Sequence, residues 1–178
     1  CIERGGSRSI MTAYNSFDGS PCSANNRLLN DILKNEWGFK GFVISDASGT
    51  GGANVLHYTA KNYPDAGKKA IENGLDVIFQ KDYNHNKLFQ PPFLDGTIDQ
   101  KIIDNAVKRV LRAKCELGLF DNPYISENID PLHASDPIAI AKKAALESFV
   151  LLKNKNEILP ISSNKKIALI GEDAATVR

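Results

Sequence analysis

The stretch GFVISDASGTGG, residues 41 to 52, ends an apolar run on a single carboxylate. Phe42 to Ser45 read as a buried strand, and Asp46 follows at its C-terminal end among small residues. A carboxylate in that position is half solvated and needs either donors or a chemical task. Ala47, Ser48 and Gly49 leave room for a ligand beside it. On pattern alone two readings stay open: a carboxylate that acts on a ligand, and an Asp that caps its own loop. A second β-prone run, SRSIMTAYN (residues 7 to 15), ends in the same manner. In an extended chain Met11 and Ala13 face one side, and Thr12 and Tyr14 the other. Where the strand ends the alternation breaks, which lets both Met11 and Tyr14 reach a pocket. The competing reading is two core residues followed by a turn at Asn15.

Other chemistries find less support. GTGGAN (49 to 54) follows a strand, as a phosphate-cradling loop would, but its glycines do not fit G-x-G-x-x-G. His57, His85 and His133 are scattered, with no Cys or carboxylate at ligand spacing, so no metal is expected. No Ser sits in a G-x-S-x-G elbow. Cys1, Cys22 and Cys115 are odd in number and lack metal spacing. The formal net charge is +1, with no basic stripe interleaved with aromatics, which argues against nucleic acid and an anionic membrane surface. Apolar runs fall far short of the roughly 18 residues of a membrane span.

The elements that must position Asp46 and Tyr14 follow from periodicity. SANNRLLNDILKNEWG (23 to 38) places Leu28, Leu29, Ile32 and Leu33 at helical spacing before Gly38. PDAGKKAIENG (64 to 74) reads as a short helix, and LDVIFQ (75 to 80) as a third strand. Strand and helix alternate, and the strands are continuously apolar, which predicts a parallel sheet or barrel of βα units. In such folds chemistry sits at the C-terminal ends of the strands. TIDQKIIDNAVKRVLRAKCELG (97 to 118) is the strongest helix, with Thr97 and Gln100 in capping-box spacing and Gly118 at its end. Residues 119 to 137 read as a linker, about 137 to 153 as a helix, and KKIALIGEDA (165 to 174) as a strand. A second domain is therefore expected to begin near the end of the chain. The opening CIERGG, without Met, reads as mid-protein.

SIMTAYNSFDGSPCSANNRLLNDILKNEWGFKGFVISD resembles glycoside hydrolase family 3, the β-glucosidase and β-xylosidase group. The residues that carry the likeness are Met11, Tyr14, Asn15, Gly19, Pro21, Glu36, Trp37, Gly38, Phe39, Gly41, Ser45 and Asp46. It continues through AGKKAIENGLDV, LGLFDNPY and AKKAALESFVLLKNKNEILPI.

The resemblance implies an α/β fold. Residues 1–118 would be the C-terminal third of a catalytic (β/α)8 TIM-type barrel. Residues 138–178 would be the start of a second, α/β sandwich domain, after the linker 119–137. It implies a retaining hydrolase of β-glucosides that releases the terminal sugar, with Asp46 as nucleophile and Met11 and Tyr14 lining the sugar subsite. No cofactor and no metal are implied. The substrate would be an oligosaccharide or an aryl or alkyl β-glycoside, with no nucleic acid and no membrane as partner. The general acid/base Glu is expected beyond Arg178. Glu36 lies opposite the catalytic face, and Glu172 and Asp173 lie past the linker. Most members carry Trp directly after the nucleophile, where this chain has Ala47. Alternatives are a β-xylosidase, a hexosaminidase-type member, and a non-catalytic carbohydrate-binding relative. Members of this layout are often periplasmic or secreted. The open barrel edge implies self-association of the isolated chain.

Overall fold

The computed structural model describes residues 1–125 and 137–174. The chain divides into two units, Cys1–Ile125 and Ser126–Arg178. Most of the expected linker, and with it His133, lies outside the described residues.

In the first unit, β1 (Ser9–Thr12) pairs in parallel with β4 (Phe42–Ser45), setting Met11 opposite Ile44 and Thr12 opposite Ser45. Between them, β2 (Ser16–Phe17) and β3 (Ser20–Pro21) form a small antiparallel hairpin. Its turn residues Asp18 and Gly19 both have positive φ, the conformation that Asp-Gly adopts readily in two-residue hairpins. A helix, Arg27–Glu36, then returns the chain to the start of β4. It begins later than the periodicity suggests, because Asn25 stops it: the Asn25 side chain accepts from the Leu28 amide. Its winding is wider than an α-helix, and the Trp37 amide donates five residues back to Ile32. Leu29 and Leu33 are its buried stripe.

The third apolar run differs from expectation. Residues 75 to 80 form no regular strand; they meet β4 in a single parallel bridge, Ile44 to Val77. Side chains have taken over the ladder. Asp76 Oδ2 accepts from the Val43 amide at 2.8 Å, and Ser45 Oγ accepts from the Phe79 amide at 3.0 Å. The amides of Asp76 and Val77 then share one acceptor, the Val43 carbonyl. The chain still runs beside β4, and the amides of Ser45 and Ser48 donate to Val77 and Phe79.

Helices cover one face of this layer. Val43 packs with Leu29, Leu33, Phe39, Ala70, Ile71, Leu75 and Ile98 in a single apolar cluster, with Ile10 against it. The helix Tyr63–Glu72 is started by Asn62, whose side chain accepts from the Asp65 amide. The long helix Gln100–Glu116 corrects the capping assignment: Asp99, not Thr97, accepts from the Lys101 amide. Thr97 instead bonds to Asp95. Arg109 of that helix donates to the carbonyls of Phe39 and Gly41, fixing the turn that enters β4.

A buried ion pair joins the same region. Lys34 Nζ lies 2.8 Å from Asp76 Oδ1, with side chains 9% and 3% exposed, and also donates to the Gly74 carbonyl. Burial holds the Lys34 ammonium below its ordinary pKa, while Asp76 draws it back up.

In the second unit the helix spans Pro137–Ser148, so Val150 falls outside it. The strand expected at 165 to 174 does not form: 165 to 170 have no regular structure, and a short turn covers Glu172–Ala174. A strand takes its hydrogen bonds from a neighbour, and no strand exists among the described residues of this unit. No described helix is long and apolar enough to cross a membrane.

Replacing Asp76 by Ala would leave a buried ammonium and the Val43 amide without their acceptor. The expected loss is about 3 kcal/mol in urea unfolding. A change below about 1 kcal/mol would show that the pair is not a structural anchor.

Candidate active site

Strand parity decides what lies around Asp46. Val43 and Ser45 are buried toward the helices, so Phe42, Ile44 and then Asp46 belong to the opposite face. Met11, 62% exposed and paired with Ile44, shares that face, whereas its neighbour Thr12 is buried. Tyr14 lies two residues past the end of β1, where the alternation has ended. The structure thus brings Asp46, Met11 and Tyr14 to the C-terminal ends of two adjacent parallel strands.

The contacts are closest between Tyr14 and the nucleophile candidate's own loop. Tyr14 donates its hydroxyl to the Ala47 carbonyl at 2.7 Å. The Ala47 amide donates to Asp46 Oδ1 at 2.6 Å. Desolvation raises the pKa of the Tyr14 phenol, and the nearby Asp46 carboxylate raises it further. Met11 shares the open face but makes no hydrogen bond that ties it to Asp46.

The loop after Asp46 is compact. Gly49, Thr50 and Gly51 are buried in a tight turn, followed by the four-residue helix Gly52–Val55. A Cβ on Gly51 would stand 2.6 Å from the Tyr63 ring, so close packing accounts for this glycine. Ser48, held at φ 63°, donates to Gln80 Oε1 at 3.1 Å. The Gln80 side-chain amide nitrogen has no partner among the described residues, although it is buried.

Sequence reasoning passed over His57, which it weighed only as a metal ligand. Its Nε2 lies 2.8 Å from the Tyr14 carbonyl, and its Nδ1 lies 2.9 Å from Ser16 Oγ. No periodicity marks such a residue, because its partners are more than forty positions away. Among the described residues no cluster of three His, Cys, Asp or Glu could hold a metal ion. Glu36 is exposed and closes the helix that precedes β4, so it lies at the end of the strand opposite Asp46.

The family model described as Glycosyl hydrolase family 3 N terminal domain matches residues 1–113. The chain belongs to glycoside hydrolase family 3. The N-terminal domain of this family is a TIM-barrel-like α/β fold, in agreement with the parallel pairing of β1 and β4. A putative beta-xylosidase of Formosa agariphila is 37% identical over 91% of this chain and 22% of its own length. A periplasmic beta-glucosidase of Salmonella typhimurium is 34% identical over 97% of this chain and 23% of its own length. The crystal structure of a beta-glucosidase from Listeria innocua in complex with glucose superposes with a TM-score of 0.68 at 32% identity. It covers 89% of this chain and 22% of that one. This family 3 chain therefore spans less than a quarter of the length of these relatives.

The raised phenol has a defined sign. Folding favours the protonated Tyr14, so its contribution is complete below the ordinary tyrosine pKa and is lost as pH rises through the raised one. An ultraviolet titration, taken as wild type minus Tyr14→Phe, is expected to show an ionisation above the ordinary value. Asp46→Asn should move it down. A limb that ignores Asp46 would separate the two groups.

Proposed function

We propose that this chain supplies the nucleophile side of a retaining glycoside hydrolase that releases terminal glucose from β-glucosides. The observation that carries the reading is the placement of Asp46. It stands on the uncovered face at the C-terminal end of β4, flanked by small residues, with the Tyr14 hydroxyl beside it. Residues 1–118 form the closing part of the barrel in this reading, and residues 138–178 the entry to a further domain.

A retaining mechanism needs two carboxyl groups about 5–5.5 Å apart across the scissile bond. Asp46, ionised, attacks the anomeric carbon. The bond from that carbon to the leaving oxygen breaks, and the second carboxyl group delivers its proton to that oxygen. The same group then takes a proton from water, which displaces the ester at Asp46 and frees the sugar. A strand end suits the first role, because a rigid backbone fixes the approach of the carboxylate. Met11 and Tyr14 line the sugar subsite, and the Tyr14 hydroxyl steadies the main chain at residue 47. The acid/base carboxyl comes from outside these 178 residues. The isolated chain is accordingly expected to leave cellobiose intact.

The relative named putative beta-xylosidase favours a second reading, in which the terminal sugar is xylose. One experiment addresses both. The full-length enzyme is incubated with an activated 2-deoxy-2-fluoro-β-glucoside, and in parallel with the xylose analogue, and intact mass is recorded. The fluorine slows hydrolysis of the ester, so an adduct accumulates. A fluoroglucosyl adduct on the peptide containing Asp46 is the expected result, absent in Asp46→Asn. Labelling by the xylose analogue alone would move the assignment to a xylosidase. No adduct from either would remove the covalent mechanism.

The outer edge of β1 has no strand partner among the described residues. An unpaired edge templates association, so the isolated 178-residue chain should self-associate in light scattering. A monodisperse monomer would contradict this.

A further inference from the structure

We infer that His57 is a positioning residue that sets the distance between the sugar-facing Tyr14 and the loop of Asp46. This rests on the reading of Asp46 as nucleophile. β1 ends at Thr12, so the Tyr14 carbonyl has left the ladder that β4 provides. The imidazole supplies the missing donor at 2.8 Å. A carbonyl accepts only, so Nε2 carries the hydrogen. In the neutral ring Nδ1 then accepts from the Ser16 hydroxyl, and in the imidazolium it donates to Ser16 Oγ. The bond to Tyr14 survives either state.

Two crosslinks in opposite directions result. Tyr14 reaches with its side chain to the backbone of residue 47, and His57 reaches with its side chain back to the backbone of residue 14. They close a ring of bonds that runs from Tyr14 through Ala47, along the loop to His57, and back. Asp46 is joined to that ring through the Ala47 amide. His57 is itself anchored: its amide donates to the Gly52 carbonyl, and Ala53, one residue further along the short helix, is 1% exposed. Ser16 in β2 extends the hold to the hairpin. A metal role is unsupported, since both ring nitrogens are engaged by protein atoms and no ligand cluster surrounds them among the described residues.

The test uses the full-length enzyme and three variants: His57→Phe, His57→Gln and Ser16→Ala. Phe keeps the ring and removes both nitrogens, whereas Gln returns one N–H donor near the Nε2 position. The readouts are the saturating rate of labelling by the 2-fluoroglycoside, the concentration that half-saturates it, the Tyr14 phenol titration and the thermal midpoint. His57→Phe is expected to slow labelling about tenfold or more, with little change in half-saturation. Its Tyr14 ionisation should fall toward the ordinary value. His57→Gln should recover most of the rate, and Ser16→Ala should show a smaller loss. Wild-type labelling rates in His57→Phe would overturn the positioning role alone. So would parallel losses of rate and thermal stability in His57→Phe and His57→Gln. If His57→Phe does not fold, a Ser16→Ala enzyme that labels like wild type overturns it. An unlabelled wild type overturns the nucleophile reading, and this one with it.

Discussion

The carboxylate of Asp76 sits where three elements meet. One oxygen takes the Val43 amide of β4, and the other takes Lys34 from the helix that precedes that strand. Its own chain runs beside β4 through the Val77 bridge. An ion this deep is tolerable only when its lone pairs are satisfied, and this one draws its partners from separate parts of the fold. The position of β4 along its axis follows, and with it the height at which Asp46 emerges.

That anchor and the candidate site occupy opposite ends of one strand. Asp76, Lys34 and the Arg109 contacts to Phe39 and Gly41 lie where β4 begins. Asp46, Tyr14 and His57 lie where it ends. Parallel pairing imposes this division, because both strands must finish on the same rim. The contacts that secure the fold therefore need not intrude on the space beside Asp46.

Apolar periodicity made much of this legible. Both paired strands, the helix around Leu29 and Leu33, the Asp-Gly turn and the long helix all follow from local pattern and stop signals. The third strand was misread because Asp76 and Ser45 place side chains in the ladder, an exchange that hydrophobicity does not record. The long helix was capped by Asp99 rather than Thr97 because both are capping residue types just ahead of Gln100, and only geometry chooses between them. The run at 165 to 170 had the composition of a strand but no neighbour among the described residues with which to become one. Asp46 stood out because a charge after an apolar run is visible in one dimension. His57 did not, since its meaning comes from Tyr14 and Ser16, distant in sequence.

The two crosslinks that frame Asp46 each end on a main-chain carbonyl. Tyr14 bonds to the carbonyl of residue 47 and not to its side chain, and His57 bonds to the carbonyl of residue 14. The frame is therefore indifferent to which side chain residue 47 carries. A change of side chain at residue 47 leaves both bonds in place and alters only the surface presented beside Asp46. With Asp46 as the proposed nucleophile, preference for one aglycone over another is uncoupled from the frame that holds the carboxylate, and can drift through substitutions at a single position without a compensating change elsewhere.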